Sequence, residues 1–251
     1  MATVSCDHQI FQNIQAVVFD KDGTLARSES YLYQVGSLRV ELLDTQVPGV
    51  GKRLAQALGL RQPNSHPPTV HPAGILAVAS RQVTEFAAAA YVTETGWTWP
   101  EALDLVQAAF SEAELVLQPK SAYTPLIEGV FQLVQRLFQA DIRMAIVSAD
   151  TTDNIWDFIR RYELDAYVQF AAGADQEFQK PDPRLLYQTC QALAVAPEQT
   201  LVIGDADTDM RMARSAHAAG AIGVTWGWID PPQLQQATIV IHHPTSMQVR
   251  G

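Results

Sequence analysis

Ala16-Val17-Val18-Phe19-Asp20-Lys21-Asp22-Gly23-Thr24-Leu25 is the stretch that decides the fold of this 251-residue chain. Four apolar residues run straight into a carboxylate, and a second carboxylate follows two positions on. A run bounded in this way predicts a strand buried on both faces, as in a parallel sheet covered by helices. Ligands of open parallel sheets bind beyond the carboxyl ends of the strands, which is where Asp20 falls. Residues two apart in an extended chain share a face, so Asp20 and Asp22 look into one crevice. Gly23 frees the backbone to turn, and Thr24 adds a short hydroxyl. Two carboxylates this close repel unless a cation lies between them or one keeps a proton. The stretch therefore predicts a metal, a proton shuttle, or both.

Outward from that strand the hydrophobic pattern changes character twice. Over residues 30–118 the periodicity is helical, with no strand, and predicts helices at 31–45, 49–58, 74–92 and 100–117. Pro100 suits a first helical turn, and Glu101 suits the positive end of that helix. The intervening loop 59–72 is rich in Pro, Asn and Ser and predicts an irregular, exposed segment. Its His66 and His71 lack partners at metal-ligand spacing. The second half alternates. Helices are predicted at 125–140, 152–162, 183–193 and 209–218, and strands at 144–147, 167–170, 201–203, 221–225 and 238–241. Such alternation means a parallel sheet with right-handed crossovers. The expected architecture is α/β: one sheet domain interrupted by an all-helical insertion.

Bulk properties narrow the class. A length of 251 residues accommodates one α/β unit with an insertion. The formal net charge of −10 argues against a grip on nucleic acid or on an anionic membrane surface. Cys6 and Cys190 are too few for a disulfide framework and suit a reducing compartment. Residues 1–11 lack a basic region and an apolar core, so no signal peptide is read there, and a cytoplasmic protein is expected. The most apolar long segment, 73–92, is interrupted by Arg81, Gln82 and Glu85 and reads as an amphipathic helix.

Three predicted strands end in polar residues: Asp20 with Asp22, Ser148, and Asp205. One such residue is commonly a turn or cap; several at one sheet edge point to a site. Asp205, Asp207 and Asp209 alternate like the start of a calcium loop, but Met210 occupies the glycine position and Ala216 the bidentate glutamate position. Asp209 suits a helix N-terminus and also lies within reach of Asp205; Asp207 reads as a solvated turn residue. Lys180 stands in a Pro-flanked loop, Lys180-Pro181-Asp182-Pro183, where an acidic cluster would welcome its charge. Gly51-Lys52 is followed by Arg53 in place of Ser or Thr and is no phosphate-binding loop. No Gly-x-Ser-x-Gly elbow occurs. His217, His242 and His243 lack zinc-like spacing.

Asp20-Lys21-Asp22-Gly23-Thr24, then Ser148, then Lys180, then Gly204-Asp205 with Asp209, resembles the four ordered motifs of the haloacid dehalogenase superfamily of phosphatases. The resemblance spans Val17 to Gly227. Ala213, Ala216, Gly220 and Gly223-Val224-Thr225-Trp226-Gly227 are similar to the phosphoglycolate phosphatase branch. It implies a Rossmann-like core over residues 1–28 and 120–251 with a helical cap domain over 29–119. It further implies a Mg²⁺-dependent phosphatase acting on a small phosphorylated metabolite, as a monomer or homodimer, without nucleic acid or membrane partners. In that scheme Asp20 is the nucleophile that becomes an aspartyl-phosphate and Asp22 is the acid and base. Asp20, Asp205 and Asp22 (through its backbone carbonyl) hold the metal. Thr24, Ser148, Ala149 and Lys180 hold the phosphoryl group, with Asp209 orienting Lys180 or metal-bound water from behind. Lys21 departs from the apolar residue usual between the two aspartates; it is expected either on the far side of the turn or near the substrate entrance. Two alternatives remain: a phosphosugar mutase of the same superfamily, and a non-catalytic regulatory protein that keeps the fold.

Overall fold

The computed structural model describes residues 2–61 and 67–251. The chain divides into two compact units, Met1–Arg27 with Pro125–Gly251, and Ser28–Thr124. These bounds lie one residue before and five residues after the junctions expected from sequence.

The first unit begins with β1 (Ala2–Cys6), β2 (Gln9–Ile14) and β3 (Ala16–Phe19). All four residues of β3 are buried, as a strand covered on both faces requires. The pleat splits them: Val17 and Phe19 enter one apolar core, Ala16 and Val18 the other.

The second unit contains α1 (Glu29–Gln46), α2 (Gly51–Leu58), β4 (Leu60–Arg61), β5 (Thr69–Val70), α3 (Ile75–Val78), α4 (Arg81–Thr93) and α5 (Trp99–Val116). Two expectations are corrected here. The helix predicted over 74–92 is broken, because Ser80 is extended (φ −66°, ψ 160°) and its hydroxyl accepts the Val83 N–H as the cap of α4. The predicted irregular, exposed loop holds an antiparallel pair instead, Leu60 with Val70 and Arg61 with Thr69. Val70 is too apolar to stay in water; it is buried, and its N–H donates to Glu29 Oε1 at 3.2 Å. His66 lies outside the described residues. The His71 ring accepts the Ala73 N–H. A partly buried ionic cluster ties the helices together: Arg39 reaches Glu114 at 2.6 Å and lies over the Phe110 ring, while Arg81 pairs with Glu85 and Glu114.

The chain then returns to the first unit as α6 (Val130–Gln139), β6 (Arg143–Val147), α7 (Thr152–Arg161), β7 (Val168–Ala172), α8 (Pro183–Leu193), β8 (Thr200–Gly204), α9 (Asp207–Ser215), β9 (Gly220–Val224), β10 (Ile239–Ile241) and β11 (Met247–Arg250). The helix predicted from residue 125 starts five residues later, after Gly129 in the left-handed region. The one predicted from residue 209 starts two residues earlier. Asp207 is therefore the first helical residue rather than a solvated turn, and its Oδ1 is buried with no hydrogen-bond partner.

Six strands form one parallel sheet in the order β10-β9-β8-β3-β6-β7. Helices α6 and α7 line one core, α8 and α9 the other. With β3 between β6 and β8, the tips of all three lie side by side. Sequence reasoning missed a second, antiparallel sheet of β11-β1-β2, in which Thr3 pairs with Arg250 and Cys6 with Met247.

Candidate active site

Register alone brings the polar tips together. Phe19 stands opposite both Ile146 and Ile203, so Asp20, Ser148 and Asp205 emerge from adjacent strands at the same edge. The Asp20 N–H donates to Ile203 O at 2.8 Å, and the Ser148 N–H to Ala172 O. Every group described below belongs to the sheet unit.

At the centre are three buried carboxylates. Asp20, Asp205 and Asp209 each offer an oxygen, and these oxygens lie within 4.8 Å of one another. One cation faces them: Lys180 Nζ is 2.5 Å from Asp20 Oδ1 and 2.8 Å from Asp209 Oδ1. Burial works against the Lys180 ammonium, but the Asp20 and Asp209 charges outweigh it and hold its pKa above the ordinary lysine value. Burial likewise raises Asp205, reinforced by the charges of Asp20 and Asp209. Asp209 is pushed up to about 6, by burial first, with Lys180 opposing and Asp20 adding to the rise. Three carboxylates against one ammonium leave a charge deficit that a hard divalent cation with oxygen preference would fill. The donor set thus fits Mg²⁺.

The remaining predicted residues divide into those that join this cluster and those that do not. The Thr24 hydroxyl donates to Asp205 Oδ1 at 3.1 Å. The carboxylate of Asp22 is held apart: Lys21 Nζ bridges it at 2.8 Å to Asp150 Oδ2 at 3.0 Å. Lys21 itself is 1% exposed, above the Phe158 ring. Neither expectation for Lys21 describes this arrangement; a buried ammonium needs two carboxylates to offset its desolvation. Ser148 Oγ accepts the Asp150 N–H at 3.2 Å, which joins the tip of β6, with Ala149 beside it, to the same network. Asp150 is fixed in turn by the Thr151 N–H and the Asn154 amide.

Two participants were missed from sequence: Asp150, and Trp228, whose indole N–H donates to Asp205 Oδ2 at 2.5 Å. The signal for Asp150 was its place two residues beyond Ser148. The signal for Trp228 was its place directly after Trp226-Gly227, one residue beyond the end of the quoted resemblance.

The chain and its fold match known proteins. The profile of haloacid dehalogenase-like hydrolases matches residues 14–217. The chain belongs to that family. Among curated relatives, the pyrophosphatase PpaX of Listeria welshimeri is 31% identical over 110 residues, 43% of this chain and 50% of that protein. The phosphoglycolate phosphatase of Agrobacterium fabrum is 30% identical over 108 residues, 43% of this chain and 46% of the relative. The chain thus spans about half the length of the curated relatives it matches. The crystal structure of a predicted phosphoglycolate phosphatase from Haemophilus somnus shares the fold with a TM-score of 0.65 at 18% identity, covering 91% of this chain and 94% of the other.

Proposed function

We propose that the protein is a Mg²⁺-dependent phosphatase that hydrolyses a small phosphorylated metabolite through an aspartyl-phosphate on Asp20. The observation that carries this reading is the ion pair of Asp20 with Lys180 beside the oxygens of Asp205 and Asp209.

An Asp20 oxygen attacks phosphorus, the bond from phosphorus to the leaving oxygen breaks, and Asp22 gives that oxygen a proton. Asp22 then takes a proton from water as the water oxygen attacks the same phosphorus, releasing inorganic phosphate and restoring Asp20. Lys180 offsets charge on the phosphoryl oxygens, and Ser148, the Ala149 backbone and Thr24 complete their cradle. Asp20 and Asp205, with the Asp22 backbone carbonyl, would hold Mg²⁺, which when bound supplies charge neutralisation at phosphorus. Asp209 orients Lys180, consistent with their contact. The unit Ser28–Thr124 serves in this reading as the cap that selects the substrate. Two buried free thiols, Cys6 and Cys190, support a cytoplasmic setting.

The test is phosphate release from a metabolite panel. Pyrophosphate and phosphoglycolate head the panel because relatives carry those names. Turnover should require Mg²⁺, stop with EDTA, and disappear in Asp20→Asn with the fold intact. A panel without turnover would leave the regulatory alternative standing, and isomerised phosphosugar in place of free phosphate would favour the mutase.

A further inference from the structure

The segment after β9 packs against the first motif. The Trp226 indole N–H donates to the Thr24 carbonyl at 2.9 Å. Gly227 presses on Gly23 so closely that a Cβ on it would sit 2.0 Å from Gly23 O. Trp228 then turns its own N–H onto Asp205 Oδ2. Gly23 makes room for that contact: it adopts φ +86°, and a Cβ there would lie 2.2 Å from Asp205 Oδ2 and 2.5 Å from Trp228 Nε1.

We propose that Trp228 is a positioning residue for the metal ligand Asp205, its indole N–H fixing the plane of that carboxylate for a divalent cation. The proposal rests on the metal assigned under the proposed function. A carboxylate has about four lone-pair directions. Thr24 takes one on Oδ1 and Trp228 one on Oδ2, which leaves one on each oxygen for a cation. The choice of donor matters. Lysine or arginine in this place would neutralise the charge that attracts the cation, whereas an indole orients the carboxylate and leaves that charge whole. A buried indole needs an acceptor wherever it sits; here the acceptor is a ligand rather than a backbone carbonyl, and ligand-orienting partners govern metal affinity.

The experiment is Mg²⁺ binding by calorimetry to wild type and Trp228→Phe, which keeps the aromatic ring and loses the donor, with circular dichroism to check the fold. It is paired with the indole N–H resonance of wild-type Trp228, assigned through its backbone, during the same titration. Affinity in Trp228→Phe should fall about 10- to 100-fold, excess Mg²⁺ should recover most of the lost turnover, and the wild-type Trp228 resonance should move on binding. Equal affinity in the variant, or a Trp228 resonance that stays still while wild type takes up Mg²⁺, overturns the proposal and leaves the metal reading intact. A wild type that takes up no Mg²⁺ overturns both. Should Trp228→Phe not fold, the wild-type resonance decides alone.

Discussion

Lys180 holds two carboxylates with one ammonium, at 2.5 and 2.8 Å. In Lys180→Met those carboxylates lose the ammonium that bridges them and the phosphoryl group loses a cation, so kcat should fall by about 10²- to 10³-fold, the scale for losing one charge-stabilising donor. Stopped-assay kinetics at saturating Mg²⁺ would measure it. The same buried charges make the metal-free protein pH-sensitive. Asp209 is raised to about 6 from an ordinary 3.8, burial being the main cause, and Asp205 is raised as well. A carboxyl raised on folding binds its proton more tightly in the folded state, so stability falls as pH rises through the window between the two values, about 4 to 6. Lys180 does not offset this: its raised pKa contributes stability that stays constant until the pH passes the unfolded lysine value. Thermal unfolding in EDTA should show a midpoint that declines from pH 4 to pH 6. Added Mg²⁺ should raise the midpoint more at pH 7 than at pH 5, because the cation needs the carboxylates ionised.

Among the elements, the loop after β3 leaves no room for a side chain at Gly23. Gly23→Ala would force a left-handed backbone onto a side chain and drive its Cβ into Asp205 and Trp228. Mg²⁺ affinity and kcat should fall together, by roughly 10-fold or more, the range expected when a ligand loses its orientation. In the helical unit, Arg39 links α1 to α5 through Glu114 and stacks on Phe110. Arg39→Ala should cost about 1.5–3 kcal/mol, the scale of a hydrogen bond to a charged group, because Glu114 loses one of its two cations while Arg81 still pairs with it. The expected readout is a lower urea midpoint, with the first unit's near-ultraviolet signal retained at denaturant concentrations where the helical unit has lost its own. Helix placement followed the hydrophobic period closely, since α8 and α5 each have an apolar face that only a 3.6-residue repeat produces. Where it failed, one residue redirected the backbone: Ser80 as a cap, and Gly129 at φ +83°. The strands β4 and β5 were missed because two-residue ladders carry no period to read.

For the whole molecule, the two ends of the described chain meet in one sheet, β1 against β11. Deleting residues 247–251 removes that strand and the fully buried Met247. The lost side-chain burial alone is worth about 1.5–3 kcal/mol, so the unfolding midpoint should drop by roughly 3–12 °C at about 2–4 °C per kcal/mol for a chain of this size. Calorimetry of the truncated protein checks this. What the sequence by itself determined was the parallel α/β core, the helical insertion and the acidic strand tips, because burial on both faces of a strand, amphipathic periods and abrupt polar ends are local signatures. Asp20 and Asp205 were legible as polar strand ends on that ground, whereas Thr24, Lys180 and Asp209 were singled out mainly by the family resemblance. Only the tertiary structure decided that Lys21 is buried between Asp22 and Asp150, that Asp207 is helical, and that Trp228 holds Asp205. It alone also decided that the chain ends pair. Each of these depends on which distant segment lies alongside, and a hydrogen bond between residues 23 positions apart, or a ladder between residues 3 and 250, leaves no mark on the local pattern of either partner.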